Sequence, residues 1–417
     1  MEISILYSFY KQCSGISTDT REINPGSMYV ALKGARFNGN NFALEALKKG
    51  ASFAVVDEQL STDDPRVILV DNALKTLQHL ATHHRNTLGI PIISLTGSNG
   101  KTTTKELLHA ILSKKFKTAA TVGNLNNAIG VPLTLLSFTT STEMGIVEMG
   151  ANHQKEIAFL CEMTLPDYGY ISNFGKAHLE GFGGFSGVIK GKSELYDYLR
   201  KNKKEAFVNS NDPLQLENSQ GTKRHFFGTH ATLKNVAPFV SVNYQGNCIQ
   251  SHLIGHYNFQ NLQAAIAIGN HFGVPSQDIK EAIENYVPTN NRSQISQKGN
   301  ATIILDAYNA NPSSMEVALE NFQKLEATYK TVVLGDMFEL GTASKVEHER
   351  IAETAIAFDF DEIHLIGAQF SKTKTANAVT YKTFEVFKNT FQPNKKGYFL
   401  IKGSRGMALE RMLDLFD

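Results

Sequence analysis

The chain is poor in the features that mark secreted and membrane proteins. Its 417 residues include only three cysteines, which lie far apart and show no metal-ligand spacing. This excludes a disulfide framework and predicts a reducing, cytoplasmic setting. No apolar run approaches the roughly 18 residues that span a bilayer. The first residues lack a basic segment followed by a long apolar core, so we expect no signal peptide.

An excess of charge of either sign is also missing. Lys and Arg number 41 and Asp and Glu number 40, so the formal net charge is +1, and no block of Lys and Arg forms a basic arm. Nucleic acid is therefore not an expected partner. The 42% of hydrophobic residues supports buried cores. A chain of this length predicts about two to four domains.

What the chain does contain is a glycine-rich loop at residues 96–104, TGSNGKTTT. The apolar run 90–95 before it is typical of a buried strand, and the spacing of apolar residues over 106–112 predicts a helix. Backbone N–H groups and the helix dipole converge on such a turn and favour phosphate. Lys101 is predicted to reach the outer phosphates, and Thr102 to hold Mg²⁺. The loop is a shortened Walker motif, GxxGKT, and an ordinary strand-to-helix turn is the alternative.

Short apolar runs alternate with turns and helical patterns, which predicts an α/β architecture with a mostly parallel central sheet covered by helices on both faces. Three units are expected, over residues 1–87, 88–293 and 294–417. Linkers are expected near 85–89 and 290–299, and short strands within 215–253. Apolar runs predict strands at 28–32, 52–56, 90–95, 145–149, 168–172, 301–305, 331–334, 362–366 and 398–401.

Three residues of the central unit stand where chemistry is possible. Glu148 ends a predicted strand, where an acid of a nucleotide-binding domain coordinates Mg²⁺, although a surface acid is the alternative. His178 lies in a glycine-rich loop, where a ligand role competes with a structural one. For Lys192, the local pattern indicates only a solvated lysine near a helix start.

Two polar segments follow further along the chain. Asn258 and Asn261 share one face of a predicted helix, where an amide suits an adenine edge and N-terminal capping is the rival explanation. The block 306–315, DAYNANPSSM, follows an apolar strand, so Asp306 is placed to bind a ribose hydroxyl. Turn and capping chemistry explains its Asn-Pro-Ser part equally well.

Taken together and in order, these blocks resemble the Mur ligases of bacterial peptidoglycan synthesis. The resemblance runs over the whole chain and includes the segments 17–21, 24–34, 36–39, 96–104, 126–132, 335–341 and 402–405. The block 306–315 resembles the family members that add D-alanyl-D-alanine to UDP-N-acetylmuramoyl-tripeptide. The resemblance implies an ATP-dependent amide ligase that works through an acyl phosphate, in cell wall biogenesis, cell shape and cell division.

The resemblance also implies roles for individual residues. Those that would hold the ATP phosphates are Gly97, Ser98, Asn99, Gly100, Lys101, Thr102 and Thr103. Ligands of Mg²⁺ would be Thr102, Glu148, His178 and a carbamylated Lys192, and the catalytic set would be Lys101, His178 and Lys192. Asn258 would contact adenine, Arg292 the phosphates and Asp306 the ribose. The UDP-sugar would meet Ser17, Asp19, Thr20 and Arg21, and the acceptor dipeptide Asn309, Asn311 and Ser314.

The implied architecture has three domains. Residues 1–87 would bind the UDP-sugar, 88–293 would be the P-loop-type ATP-binding domain, and 294–417 would be a Rossmann-like domain that binds the dipeptide and closes on ATP. The protein is expected to be a cytoplasmic monomer. Two alternatives stay open: a related ATP-dependent amide ligase, such as a folylpolyglutamate synthase or another Mur ligase, and a P-loop ATPase that acts as a switch.

Overall fold

The computed structural model describes residues 1–289, 292–393 and 396–416. The first unit is a small parallel sheet of order β1-β2-β5-β6 with a separate two-stranded hairpin, β3-β4. Its strands are β1 (Ile16–Ser17), β2 (Met28–Val30), β3 (Lys33–Gly34), β4 (Phe37–Asn38), β5 (Phe53–Val56) and β6 (Val67–Leu69). Its helices are α1 (Ile3–Tyr10), α2 (Ala43–Lys48) and α3 (Ala73–Leu88).

Helix α3 connects the first unit to the second. The Asn72 side chain caps its start by accepting a hydrogen bond from the Lys75 N–H at 2.8 Å, and Gly89 ends it with a positive φ of 63°. The expected linker at 85–89 is therefore wrong in extent, because the helix continues through Leu88. Arg85 is buried within α3 and donates to Asp167 of the second unit at 2.8 Å. The two units are thus joined by a helix and a partly buried ion pair.

The second unit is built on a six-stranded, wholly parallel sheet of order β12-β11-β10-β7-β9-β8. Its strands are β7 (Ile92–Thr96), β8 (Thr118–Ala120), β9 (Met144–Glu148), β10 (Tyr168–Ile171), β11 (Glu205–Asn209) and β12 (Lys223–Phe227). An antiparallel excursion follows, with β13 (Thr232–Asn235), β14 (Ser241–Tyr244) and β15 (Asn247–Gln250). The short strands expected within 215–253 are confirmed.

Helices cover both faces of this sheet. They are α4 (Lys101–Leu112), α5 (Gly130–Ser137), α6 (Glu156–Thr164), α7 (Leu179–Phe182), α8 (Phe185–Lys201), α9 (Pro213–Asn218), α10 (Tyr257–His271) and α11 (Ser276–Asn285). Strand β7 is buried along its whole length. Its residues Ile93 and Leu95 pack with the apolar residues of α4 and α10, whereas Ile92 packs on the other face with Val131 and Leu135 of α5. Burial on both faces explains why apolar residues of β7 point to both sides of the sheet, and Ser94 and Thr96 are buried with them.

The third unit is a second six-stranded sheet, of order β16-β17-β21-β18-β19-β20, in which only the edge strand β16 is antiparallel. Its strands are β16 (Gln294–Lys298), β17 (Asn300–Asp306), β18 (Lys330–Gly335), β19 (Glu362–Ile366), β20 (Val379–Tyr381) and β21 (Lys396–Lys402). Its helices are α12 (Pro312–Gln323), α13 (Ser344–Ala357) and α14 (Phe384–Thr390). The linker expected at 290–299 begins outside the described residues and continues into β16.

The α/β class and the predicted strands are confirmed, with ends that differ by one or two residues. In the central sheet, β8 and β9 lie on one side of β7, and β10, β11 and β12 lie on the other side. The carboxyl end of β7 is therefore a switch point, where open α/β sheets bind ligands. Among the described residues, no helix combines the length and apolar character needed to cross a bilayer.

Replacing Arg85 by methionine should lower the free energy of unfolding by about 2 kcal/mol, because the hydrogen bonds of a buried guanidinium are lost and the half-buried Asp167 loses one charged partner while it keeps Lys204. Arg85 also donates to the Thr164 and Leu165 carbonyls, each at 3.0 Å, and these bonds are lost too. Urea denaturation measures the change. The control is Arg66→Met, since the Arg66–Asp64 pair is solvent-exposed and worth less than about 1 kcal/mol. Equal losses in the two variants would contradict the structural role of Arg85.

Candidate active site

The glycine-rich loop between β7 and α4 is shaped by close approach to its neighbours. Gly97 and Gly100 have φ values of 141° and 79°, which favour glycine. A Cβ on Gly97 would lie 2.0 Å from the Ser172 Oγ, and one on Gly100 would lie 2.5 Å from the Asn261 Oδ1. The Asn99 N–H donates to the Asn173 side chain at 3.0 Å, so the loop is also held from the end of β10. An ordinary strand-to-helix turn does not require both glycines.

Lys101 begins α4 and curls over this loop. Its Nζ donates to the Gly97 carbonyl at 2.8 Å and to the Ser98 carbonyl at 3.3 Å. Burial lowers the pKa of Lys101, the Arg292 charge lowers it further, and Glu148 acts in the opposite direction. The site thus concentrates cationic groups around the loop, an arrangement that an anion stabilises.

A buried carboxylate lies beside the loop. Glu148, at the end of β9, is 1% exposed. Its Oε2 accepts a hydrogen bond from the Thr102 hydroxyl at 2.9 Å, and its Oε1 accepts one from the Asn126 amide at 2.8 Å. The structure therefore brings together the two predicted oxygen ligands and excludes the surface acid as an explanation of Glu148. A buried carboxylate and a hydroxyl are hard oxygen donors of the kind that Mg²⁺ prefers.

Lys192 is not the solvated lysine that its local pattern indicated. It lies on α8 and is 1% exposed, with Nζ donating to the Ala151 carbonyl at 3.1 Å and standing 5.1 Å from the ring centre of Phe182. Burial, followed by the positive charge of Lys101, holds the pKa of Lys192 well below its usual value. The charged ammonium is therefore disfavoured relative to an exposed lysine, and the expectation of solvation is wrong because the helix face is covered.

A cavity of about 790 Å³ joins these groups to the third unit. Predicted residues on its wall are Ser98, Asn99, Gly100, Lys101, Thr103, Glu148, His178, Arg292, Asp306, Asn309, Asn311 and Ser314. The Asn311 amide donates to the Asn99 side chain at 2.7 Å, and the Ser313 hydroxyl accepts from the Lys176 N–H at 3.0 Å. The phosphate loop and the third unit therefore face each other in direct contact.

His178 takes part in the same closure. Its backbone is left-handed, with a φ of 53°, and its Nδ1 is hydrogen-bonded to the Glu339 carboxylate of the third unit. The His178 hydrogen bond lowers the pKa of Glu339. Sequence reasoning missed Glu339 as a partner, although it lies in the quoted segment 335–341.

Arg292 and Asp306 frame the far wall. The Arg292 guanidinium stacks 3.8 Å over the Tyr308 ring, and its buried Nε has no hydrogen-bond partner within the described part of the chain. Asp306 accepts a hydrogen bond from the Lys402 Nζ at 2.6 Å, and Lys402 is 2% exposed. Lys402 lies in the quoted segment 402–405, but its pairing with Asp306 was not predicted from the sequence.

The acceptor residues are only partly available to a ligand. The Asn311 Oδ1 accepts from the Ser314 N–H at 3.0 Å, and the Ser314 hydroxyl accepts from the Asn311 N–H at 3.1 Å, which forms a capping box at the start of α12. The capping explanation of this block is therefore confirmed. Asn309 lies outside the capping box and lines the cavity.

Asn258 does not reach the cavity. It is 1% exposed, its amide donates to the Ile254 carbonyl at 2.8 Å, and its oxygen accepts from the Asn261 amide at 2.8 Å. Both ends of the side chain are thus satisfied within α10 and its start. The adenine contact stays a prediction that this arrangement does not support, and Asn261 is the residue that contacts the phosphate loop.

The UDP-sugar candidates lie in the first unit and do not line this cavity. The Ser17 hydroxyl donates to the Asp19 carbonyl at 3.0 Å, and the Asp19 carboxylate accepts from the Arg21 N–H at 2.9 Å. The hydrogen bond from the Arg21 side chain lowers the pKa of Asp19 to about 2. Thr20 begins the short 3-10 turn between them. Their role stays a prediction.

Three protein-family models match the chain. They are described as Mur ligase family, catalytic domain, over residues 12–97; Mur ligase middle domain, over 95–269; and Mur ligase, glutamate ligase domain, over 291–393. UDP-N-acetylmuramoyl-tripeptide–D-alanyl-D-alanine ligase of Bacillus subtilis is 32% identical over 97% of this chain and 93% of the relative. The ligase of the same description from Escherichia coli is 34% identical over 95% of this chain and 92% of the relative.

Solved structures are similar over the same length. MurF from Acinetobacter baumannii has a TM-score of 0.87 and 29% sequence identity, covering 99% of this chain and 98% of that chain. The MurF ligase from Thermotoga maritima, solved in complex with ADP, has a TM-score of 0.82 and 26% identity, covering 96% of both chains.

Replacing Lys101 by methionine should lower ATP-dependent turnover at least about 100-fold, because the loop loses the cation that compensates phosphate charge. The fold should persist, since the methionine needs no hydrogen-bond partner. Turnover is measured as ADP release, and circular dichroism checks the fold. Lys114→Met is the control, since Lys114 lies just after the C-terminal end of α4, and this variant should behave as wild type. Near-normal turnover of a folded Lys101→Met protein would refute the assignment.

Proposed function

This chain belongs to the Mur ligase family, and we propose that it joins D-alanyl-D-alanine to the peptide of UDP-N-acetylmuramoyl-tripeptide with cleavage of ATP. The observation that carries the proposal is the cavity in which a phosphate loop, a buried carboxylate and polar residues of the third unit face one another. Such a cavity suits a reaction in which a nucleotide, an acid and an amine must meet. Relatives with this activity in their names are similar along nearly the whole chain. The product serves peptidoglycan synthesis.

The reaction has two steps. First, an oxygen of the terminal carboxylate of the peptide attacks the γ-phosphorus of ATP, the bond to the bridging oxygen breaks, and ADP leaves an acyl phosphate behind. Second, the neutral amine of the dipeptide attacks the acyl carbon, the carbon–oxygen bond breaks, phosphate leaves, and the amine loses a proton to solvent. The protein contributes positioning and compensation of charge.

The phosphate loop, residues 97–103, holds the ATP phosphates, with Lys101 beside them. Thr102 and Glu148 are the residues that hold Mg²⁺, supported by the 2.9 Å contact between their oxygens. When bound, Mg²⁺ neutralises the charge of the transferred phosphoryl group. His178 is assigned to the metal as well, with Glu339 fixing its ring.

Lys192 is proposed to carry a carbamate. Its neutral Nζ attacks the carbon of CO₂, a C–N bond forms, and one N–H proton leaves to solvent. The lowered pKa supports this step, since only the unprotonated amine is a nucleophile. The product is an anion in place of a buried amine, and its oxygens would help to hold a second Mg²⁺.

The third unit contributes the remaining contacts. Arg292 is assigned to the phosphates, and its buried Nε without a partner among the described residues supports this. Asp306 is assigned to the ribose, with Lys402 holding its carboxylate. Asn309 is the strongest candidate for the dipeptide, because Asn311 and Ser314 are engaged in the helix cap and contribute through their position.

The division into domains at 87/88 and 293/294 is retained as part of the proposal, with the UDP-sugar on residues 17–21 of the first domain. The three separate sheets support it. A cytoplasmic location is supported by the three cysteines, which are free thiols. A monomer is retained as part of the proposal.

The test of this function is acceptor-dependent ADP release. With ATP, Mg²⁺ and UDP-N-acetylmuramoyl-tripeptide present, D-alanyl-D-alanine should stimulate ADP release, and the product should gain the mass of the dipeptide less water. D-alanine and L-alanyl-L-alanine are the matched controls and should stimulate weakly. ADP release at the same rate with and without the acceptor would favour an ATPase switch. Faster release with a single amino acid would assign the chain to another member of the ligase family.

Replacing Lys192 by alanine should abolish most of the activity, because the buried anion is lost. A short-chain carboxylic acid added to the assay should restore part of it by filling the space of the carbamate. Lys190→Ala is the matched control, since Lys190 is exposed on the same helix and should be dispensable. A fully active Lys192→Ala enzyme would contradict the carbamate.

A further inference from the structure

A second group of metal-ligating side chains lies on the central sheet, away from the phosphate loop. Glu205, His225 and His271 each offer one ligand atom, and these atoms all lie within 4.8 Å of one another. The His225 Nε2 is hydrogen-bonded to the Glu205 carboxylate, and the two imidazole rings have centres 4.2 Å apart. The mechanism proposed above uses none of the three.

The fold places these residues together from distant parts of the chain. Glu205 begins β11, opposite Lys223 of β12 in the parallel register, and His225 is opposite Phe207. Alternation along the strands therefore puts Glu205 and His225 on one face of the sheet. His271 is the last residue of α10, which packs on that face. The cluster lies at the amino end of β11. The phosphate loop lies at the opposite edge of the sheet, after the carboxyl end of β7.

Aromatic contacts hold the two imidazoles in position. The Phe207 ring centre lies 5.3 Å from that of His225 and 5.2 Å from that of His271. Tyr168 and Phe272 also contact the His271 ring, at 5.6 Å and 5.0 Å between centres. His225 is half-buried, whereas His271 is exposed and is held by these ring contacts. A ring that is held in place loses little freedom when it binds an ion, which favours binding.

The chemistry of the donor set suits a borderline transition metal. Two imidazoles and one carboxylate match the three-ligand sets that bind Zn²⁺ and leave a position for water. A cavity of about 290 Å³ opens over the rings, with His230 and Asn270 also on its wall. Burial and the neighbouring His225 lower the pKa of His271, which favours the neutral imidazole that binds metals.

One cation opposes an ion at this position. The Lys223 Nζ lies 2.6 Å from the Glu205 Oε1, but the Lys223 side chain is 68% exposed. An ion pair whose cation is this exposed contributes little to stability. The lysine can therefore turn into solvent at small cost when Glu205 binds a metal, and the Glu205 Oε2 faces His225 in either case.

We propose that Glu205, His225 and His271 form a binding site for a divalent transition-metal ion, with Zn²⁺ as the best fit. The ion would tie β11 and β12 to the end of α10. The other end of α10 carries Asn261, which accepts a hydrogen bond from Thr104 of α4 at 3.2 Å. The site would therefore stabilise the layer that supports the phosphate loop without touching the reactants.

The test is titration of the full-length protein with Zn²⁺ by calorimetry, with excess Mg²⁺ and ADP present to occupy the active site. Wild type should bind one Zn²⁺, and its Tm should rise. His225→Ala and His271→Ala should each weaken binding at least about tenfold. His79→Ala is the matched control, since His79 is an exposed histidine on α3, and should bind as wild type.

Two results would overturn the proposal: no Zn²⁺ binding by wild type tighter than roughly 100 µM, or equal binding by wild type and both histidine variants. Because the first of these results is measured on wild type, it stays decisive even if a variant folds poorly. Co²⁺ bound at the site should give the intense visible bands of a four- or five-coordinate ion with nitrogen ligands. A spectrum that shows only the weak bands of six-coordinate Co²⁺ would also contradict the proposed site.

Discussion

The buried carboxylate of Glu148 is the constraint on which the rest of the site depends. A carboxylate that is 1% exposed is costly to bury unless it is hydrogen-bonded or paired. The Thr102 hydroxyl and the Asn126 amide satisfy its two oxygens, and the Lys101 charge lies nearby. This requirement fixes the first turn of α4 against the end of β9. The phosphate loop is therefore anchored to β9 by the protein's own side chains, and polar groups held in place in this way need little reorganisation during a reaction.

The third unit completes the site through contacts that cross the cavity. The Asn311 amide donates a hydrogen bond to the Asn99 side chain of the loop, and His178 is hydrogen-bonded to Glu339. Lys176 forms an ion pair with Glu347 at 2.7 Å. Each of these polar and ionic contacts contributes little net free energy. They lie beside an apolar contact, since Ile254 of the second unit belongs to the same buried cluster as Ile304 and Phe322 of the third. Contacts from the third unit thus reach the phosphate loop and the His178 loop together, which places groups of both units around the one cavity.

The sequence predicts the fold well and the site in part, for physical reasons. Local pattern was sufficient for β7, because continuous apolar residues followed by a glycine turn specify a buried strand and a phosphate loop. Local pattern failed for Lys192, because the covering of a helix face depends on residues distant in sequence. The Lys402–Asp306 pair joins residues 96 positions apart, and Asn258 is satisfied by its own helix start, so neither arrangement is visible from spacing. Resemblance to a family supplied roles, whereas only the three-dimensional structure showed which side chains are free to fulfil them.

The central claim is that Glu148 and Thr102 form one preformed metal site beside the phosphate loop. A crystal structure of this protein with ADP and Mg²⁺ tests it most directly. We expect Mg²⁺ with the Thr102 Oγ1 and a Glu148 carboxylate oxygen, directly or through one water, at the roughly 2.1 Å that Mg²⁺–oxygen bonds adopt. The backbone of residues 97–102 should not move. A metal bound elsewhere, with Glu148 still hydrogen-bonded to Thr102 and Asn126, would contradict the account.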